Sequence, residues 1–450
     1  MNKDIFKAYD IRGIYPTDID AHDVKNIAKA YTTWLKPQKI ALGRDVRLSG
    51  KELWSAAAEG LTEMGVDIVD LGIISTDMLY FAVANYGFDG GITITASHNS
   101  GEYNGIKMIK AEAKPISMDS GIAEIRELAM KGEFESAANP GKIEQLDFLD
   151  DYVTKMVSFT SENSKLKIQN SKLKVVVNPN FGAAGIAIQK VADYYNLELT
   201  KLNFEPDGNF PKGKPDPTQS ENRTETQELI QKGDFDFGAI WDADADRCFF
   251  YDEKGNYILP IYITGLLMEY FLRGSKDEAI VVDPRSIWLP KSITQEHGAR
   301  LAINKSGHSY IKERMRQENA VFGAETSAHY YFRDAWFADN GLIPFVIMLE
   351  VISESSEPLS ILISKFKEAF FAIEETNFKV KNVAETIDRV SNFYSEGAKD
   401  YTDGVSIEFD DWRMNLRGSN TEPVIRLNIE AKSQELASEK LDEISKLITE

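Results

Sequence analysis

The stretch Phe237-Gly238-Ala239-Ile240-Trp241-Asp242-Ala243-Asp244-Ala245-Asp246-Arg247 sets an apolar run directly against three alternating aspartates and an arginine. A short apolar run that ends in charge reads as a buried strand, and in an α/β sheet ligands bind outside the carboxyl ends of such strands. Alternating carboxylates can point to one side of a strand end, where they supply the oxygen ligands that Mg²⁺ prefers; zinc would ask for histidine or thiolate. At phosphoryl-transfer centres a phosphate oxygen completes the shell of such an ion. A solvated acidic turn is the competing reading of two alternating aspartates, and the third aspartate with Arg247 argues against it. A calcium loop would explain Glu253, the twelfth residue counted from Asp242. However, its sixth position is Arg247 where glycine is needed, and Phe249-Phe250-Tyr251 continues as strand.

Outward from this loop, a second strand-like run, Gly91-Ile92-Thr93-Ile94-Thr95-Ala96, ends in Ser97-His98-Asn99. The same carboxyl-edge argument places Ser97 in a ligand crevice. A serine hydroxyl is a weak nucleophile at neutral pH, but once phosphorylated it can relay the phosphoryl group, with Lys107 and His98 balancing charge on the transferred oxygens. An ordinary helix N-cap serine is the alternative. Arg417-Gly418-Ser419-Asn420-Thr421-Glu422-Pro423 offers a guanidinium, backbone amides around a glycine and two hydroxyls, the ingredients of a phosphate-binding nest. Gly323-Ala324-Glu325-Thr326-Ser327-Ala328-His329 places a carboxylate and a hydroxyl two residues apart, suited to adjacent sugar hydroxyls, with a simple strand-to-loop turn as the alternative. Three of the five histidines, His98, His308 and His329, fall in such segments, which favours acid–base or phosphate-binding roles; His22 and His297 read as surface residues. Cys248 reads as small apolar filling.

Composition sets the outer limits. The 450 residues suggest three to four domains, and 71 acidic against 51 basic residues give a net charge of −20, which disfavours nucleic acid as a partner. A single cysteine excludes an internal disulfide, the first residues lack the pattern of a secretory signal, and no apolar run approaches the roughly 18 residues of a membrane span. These readings predict a cytoplasmic protein with no membrane partner.

Strand-like runs alternate with amphipathic stretches through most of the chain, the βαβ pattern of mostly parallel sheets. The fold class is α/β: three α/β units and a smaller α+β unit, spanning residues 1–155, 156–255, 256–367 and 368–450. The direct repeat Asn163-Ser164-Lys165-Leu166-Lys167 and Asn170-Ser171-Lys172-Leu173-Lys174 predicts a polar linker or extended hairpin near a domain boundary. The last unit reads as strand, strand, helix over Val405–Phe409, Pro423–Ile429 and Ser433–Ile448.

Taken in order, Ala8-Tyr9-Asp10-Ile11-Arg12-Gly13, the Thr95-Ala96-Ser97-His98-Asn99 loop, the aspartate triplet with Arg247, the Glu325-to-His329 loop and the Arg417-to-Pro423 loop resemble the α-D-phosphohexomutase superfamily, within it the phosphomannomutase/phosphoglucomutase group, over essentially the whole chain. The resemblance implies four domains around a central cleft, a phosphoserine at Ser97, and Mg²⁺ held by Asp242, Asp244, Asp246 and the phosphoserine. It implies sugar contacts from Glu325 and Ser327, with Arg285 standing near a usual lysine. Arg417, Gly418, Ser419, Asn420 and Thr421 would grip the distal phosphate, with Tyr9, Arg12, Lys107, Arg247, His98, His308 and His329 nearer the reacting groups.

The implied reaction interconverts hexose 6-phosphate and hexose 1-phosphate through a hexose 1,6-bisphosphate, so hexose phosphates are the expected partners. Mannose is favoured by Pro206-Asp207-Gly208-Asn209-Phe210-Pro211, and glucose or glucosamine phosphate are alternatives within the same superfamily. A Mg²⁺-dependent sugar phosphatase is the alternative from another class. The haloacid-dehalogenase type has its own D-x-D, but Arg247-Cys248 stands where it wants Thr or Val. Where the superfamily has proline this chain has Ser100, which leaves the rigidity of the loop around Ser97 open. Where it has glycine the chain has Ala243, Ala245 and Ala328, which predicts backbone angles that suit a Cβ.

Overall fold

The computed structural model describes residues 1–355, 357–418 and 424–449. By its contacts the chain separates into two compact units, Met1–Tyr257 with Asp334–Ser356, and Ile258–Arg333 with Glu357–Glu450.

The first unit holds two sheets. In the larger, neighbouring strands run in the order Ile11–Ile14, Tyr103–Lys110, Gly90–Ile94, Lys39–Arg44, Asp67–Ile73, Ile143–Gln145. The Lys39–Arg44 strand is parallel to both of its neighbours, while Tyr103–Lys110 runs antiparallel beside Gly90–Ile94. Every residue of Gly90–Ile94 is buried, as expected of a central strand covered on both faces. The second sheet sets Cys248–Tyr251, Phe237–Trp241, Lys174–Asn178 and Glu198–Lys201 side by side; Phe237–Trp241 is parallel to Lys174–Asn178 and antiparallel to Cys248–Tyr251. The aspartate triplet is therefore the turn between two adjacent buried strands.

Helix Leu342–Ser355 is apolar nearly all round and buried from Leu342 through Ile352. Asn340 Oδ1 accepts the Leu342 and Ile343 amides, 2.8 Å each, and so fixes the start of the helix. Such a helix belongs in a core. Among the described residues no helix is long and apolar enough to cross a membrane.

The repeat expected to be a linker or hairpin is instead a helix, Glu162–Ser171. Ser161 accepts the Ser164 amide at its start, Ile168 is fully buried, and the buried Ser164 hydroxyl donates to Glu350 of Leu342–Ser355. The polar sequence gave no amphipathic signal because the burial comes from a helix far along the chain.

In the second unit, Arg300–Ile303, Ala279–Val282 and Phe322–Ala324 are parallel neighbours, and Tyr330–Phe332 pairs antiparallel beside them. The C-terminal sheet is antiparallel, in the order Phe371–Lys379, Val424–Ala431, Trp412–Gly418, Val405–Glu408, Ala398–Asp400. Helices Val383–Phe393 and Gln434–Thr449 accompany it. Among the described residues this region has three more strands and one more helix than expected. Trp412–Gly418 was legible and was missed: Trp412, Met414 and Leu416 alternate with Arg413, Asn415 and Arg417, the period of a strand, with Arg413 and Asn415 buried as well.

Candidate active site

Within the first unit, the ends of two strands meet. Ser97 follows Gly90–Ile94 and sits at φ 49°, in the left-handed region, with its amide donating to Thr95 Oγ1 at 2.9 Å. Its Oγ lies 3.5 Å from Asp242 Oδ2 and 3.1 Å from His98 Nδ1. Lys107, opposite Thr93 in the sheet register, spans Asp244 and Asp246 at 2.7 and 2.6 Å. Arg12, on the strand paired beyond Lys107, donates to Asn99 Oδ1 at 2.7 Å and pairs with Asp10. Tyr9, three residues earlier, is half-buried.

Asp242, Asp244 and Asp246 are all buried, and one carboxylate oxygen from each lies within 4.8 Å of the others. Burial and its two aspartate neighbours push the Asp242 carboxyl well up, opposed by Arg247 and Lys107. Asp244 Oδ1 is buried and has no hydrogen-bond partner among the described residues. Three crowded oxygen donors with an open lone pair fit a hard divalent cation. Arg247 pairs with Asp242 at 2.8 Å; burial opposes its charge, but Asp242, Asp216 and Asp246 outweigh that and raise its pKa. His98 is held neutral: burial lowers its pKa, as do Arg247, Arg12 and Lys214, against an opposing pull from Asp216. Cys248 is buried and its thiol is pushed well up by burial, consistent with inert filling.

The sequence reading missed the group that shapes the serine loop. Arg47, fully buried, donates to the carbonyls of Ser97, Asn99, Ser100 and Tyr103 at 2.5 to 2.8 Å and to Asp45 at 3.1 Å. Asp45 in turn accepts from Thr95 Oγ1 at 2.7 Å. A guanidinium fork thus ties down the loop in which Ser100 stands at the superfamily's proline position. The signal was available, because Asp45-Val46-Arg47 follows a strand end as the other loops do. Gly208 of the Pro206–Pro211 segment bridges to Arg47, and the Phe210 ring lies 5.1 Å from its guanidinium. That segment supports the clamp.

The alanines divide. Ala243 has an ordinary backbone, but Ala245 and Ala328 sit at φ 55° and 65°. The expectation of Cβ-friendly angles is corrected at these two positions, where a Cβ costs roughly 1–2 kcal/mol.

In the second unit, Glu325 is buried; its carboxylate accepts the Gly307 amide at 2.8 Å and the Tyr331 hydroxyl. Ser327 Oγ lies 2.9 Å from His329 Nδ1, and His308 begins helix His308–Glu318, with its Nδ1 3.5 Å from Lys312 Nζ. Arg285 is gripped by both oxygens of Asp283 at 2.8 and 2.9 Å and lies 3.6 Å from Glu325. Its charge is held, against burial, by Asp283, Glu375 and Glu325, which raise its pKa. Arg417 reaches Glu375 at 3.4 Å, and burial with neighbouring arginines lowers its pKa.

The sequence reading also missed Glu375, and with it the buried Arg413–Glu430 pair. That pair binds the carbonyls of Pro284 and Arg285 and the amides of Ile287 and Trp288. Gly418 closes its strand; Ser419, Asn420 and Thr421 lie outside the described residues. His22 is exposed as expected and His297 half-buried.

In four stretches the chain matches the phosphoglucomutase/phosphomannomutase family: alpha/beta/alpha domain I over residues 3–136, domain II over 150–255, domain III over 255–370, and the C-terminal domain over 375–447. It is 40% identical to a phosphomannomutase of Escherichia coli over 453 residues, 98% of each chain. It is 38% identical to phosphohexose mutases of Xanthomonas campestris, over 100% of each. Among solved structures, it is similar to a phosphoglucomutase/phosphomannomutase family protein of Burkholderia thailandensis, with a TM-score of 0.87 at 30% identity, covering 100% of this chain and 98% of that one.

Proposed function

This chain belongs to the phosphoglucomutase/phosphomannomutase family of intramolecular phosphotransferases, and from that premise we propose that it interconverts hexose 6-phosphate and hexose 1-phosphate, with mannose as the preferred sugar. The observation that carries the reading is the approach of Ser97 Oγ to within 3.5 Å of Asp242, beside a buried carboxylate triad bridged by Lys107.

In this reading Ser97 carries a phosphoryl group. The Ser97 O–P bond breaks as a sugar hydroxyl forms its own P–O bond, and the proton that hydroxyl loses ends on the released Ser97 oxygen, giving a hexose 1,6-bisphosphate and a free serine hydroxyl. The reverse step returns the other phosphoryl group to the Ser97 oxygen. Asp242, Asp244 and Asp246 would hold Mg²⁺, whose charge offsets that of the transferring group. Arg12, Lys107 and Arg247 add fixed positive charge, and the neutral imidazole of His98 stands beside the serine oxygen. Arg47 holds the loop so that Ser97 keeps its strained backbone and a fixed aim. In the second unit, Glu325, Ser327 and Arg285 would take the sugar hydroxyls and Arg417 with Gly418 the non-reacting phosphate, and His308 and His329 would act on the reacting groups.

The preference for mannose is supported by curated relatives that are phosphomannomutases. The test is a coupled assay of mannose 1-phosphate, glucose 1-phosphate and glucosamine 1-phosphate with trace bisphosphate, run on wild type and Ser97→Ala. Fastest turnover on mannose 1-phosphate, lost in Ser97→Ala, is expected. Equal rates on mannose and glucose phosphates would refute the mannose preference. Stoichiometric release of inorganic phosphate that survives Ser97→Ala would instead identify a phosphatase.

A further inference from the structure

We propose that Thr76 is a positioning residue for the cation site, fixing the side chain of Asp244 so that one chosen carboxylate oxygen faces the metal; this rests on the reading of the aspartate triplet as that site. Thr76 opens helix Thr76–Asn85, whose residues from Thr76 through Val83 are buried. It comes from the first sheet's connection after Asp67–Ile73, whereas Asp244 belongs to the loop of the second sheet, so sequence proximity does not explain their contact.

Two hydrogen bonds join them. The Thr76 amide donates to the Asp244 carbonyl at 2.9 Å, and the Thr76 hydroxyl donates to Asp244 Oδ2 at 2.6 Å. The direction of the second bond is set by Lys107, whose ammonium lies 3.4 Å from Thr76 Oγ1 and 2.7 Å from the same Oδ2. An ammonium can only donate, so it takes a lone pair of Thr76 Oγ1 and directs the hydroxyl proton to Asp244. Oδ2 thus accepts from two donors, while Oδ1, buried, has no hydrogen-bond partner among the described residues. A carboxylate tied down on one oxygen and bare on the other is oriented for monodentate ligation. Partners that hold ligands in this way commonly change metal affinity by about 10- to 100-fold when removed. Helix capping alone would not require the side chain: the hydroxyl leaves its own helix to bond Asp244.

The test is Mn²⁺ binding to full-length chain, followed by electron paramagnetic resonance of the free ion, for wild type, Thr76→Val, Thr76→Ala and Thr76→Ser, with thermal unfolding of each. Thr76→Val keeps the volume and deletes the hydroxyl; Thr76→Ala deletes it with less steric demand and serves if the valine variant does not fold. Weaker Mn²⁺ binding by at least about tenfold in the folded hydroxyl-less variants, with Thr76→Ser near wild type, is the expected result. Lower melting temperature with an unchanged Mn²⁺ dissociation constant would overturn the proposal and leave Thr76 as a packing residue. Failure of wild type itself to bind Mn²⁺ would overturn the reading of the triplet, a different outcome from the loss of this inference alone.

Discussion

Replacing Arg47 by methionine should be among the most damaging single changes in the first unit. The residue is 1% exposed, and its guanidinium serves four carbonyls of residues 97–103 and the carboxylate of Asp45. Burial works against both charges, raising the Asp45 carboxyl and lowering the Arg47 guanidinium, so each depends on the other. Removing one partner of such a buried pair costs about 3–5 kcal/mol. That is a large share of a typical stability of roughly 5–15 kcal/mol. Lysine, with three donors on a point charge, cannot reproduce the fork, so Arg47→Lys should fall between wild type and Arg47→Met. The double variant Arg47→Met/Asp45→Asn should regain part of the loss, because the stranded carboxylate is gone. Urea unfolding followed by circular dichroism reads the stability, and phosphate incorporation at Ser97 reads the loop. Stability of Arg47→Met within about 1 kcal/mol of wild type would refute the clamp argument.

Asp77 supplies a pH dependence. Burial pushes its carboxyl up to about 7, despite hydrogen bonds from Ser75, Tyr152 and the Met78 amide. The folded chain therefore keeps a proton that the unfolded chain releases near pH 3.9, so Asp77 lowers stability progressively as pH rises toward its folded pKa. Asp77→Asn cannot titrate, and its stability relative to wild type should improve by about 3 kcal/mol between roughly pH 5 and pH 8; a pH-independent difference in urea unfolding would contradict this. Ala245→Gly should stabilise the chain by about 0.5–1 kcal/mol, the relief of left-handed strain less the added freedom of the unfolded chain. An unchanged or lowered unfolding free energy would show that the strain is compensated elsewhere.

What the sequence disclosed, and what it hid, follows from where each interaction originates. The Phe237–Trp241 strand and its aspartates were legible because an apolar run and its charged end lie in one continuous segment. Ser97 was legible for the same reason. Helix Glu162–Ser171 was not, since what buries it is Leu342–Ser355, which contributes nothing to the local pattern. Arg47 and Thr76 stand at strand and helix ends in plain view, but their roles depend on partners 50 and 168 residues away. The left-handed backbone of Ala245 and Ala328 ran against the residue type, because alanine ordinarily signals a conformation that a Cβ tolerates. Strain of this kind clusters at functional loops, where the surrounding structure over-determines it.

The central claim is that Ser97 lends and recovers a phosphoryl group, and intact-mass spectrometry with peptide mapping, before and after exposure to hexose 1,6-bisphosphate, tests it most directly. The account predicts a gain of about 80 Da, localised to Ser97. A chain that interconverts the two hexose monophosphates while Ser97 carries no added mass in either condition would contradict it.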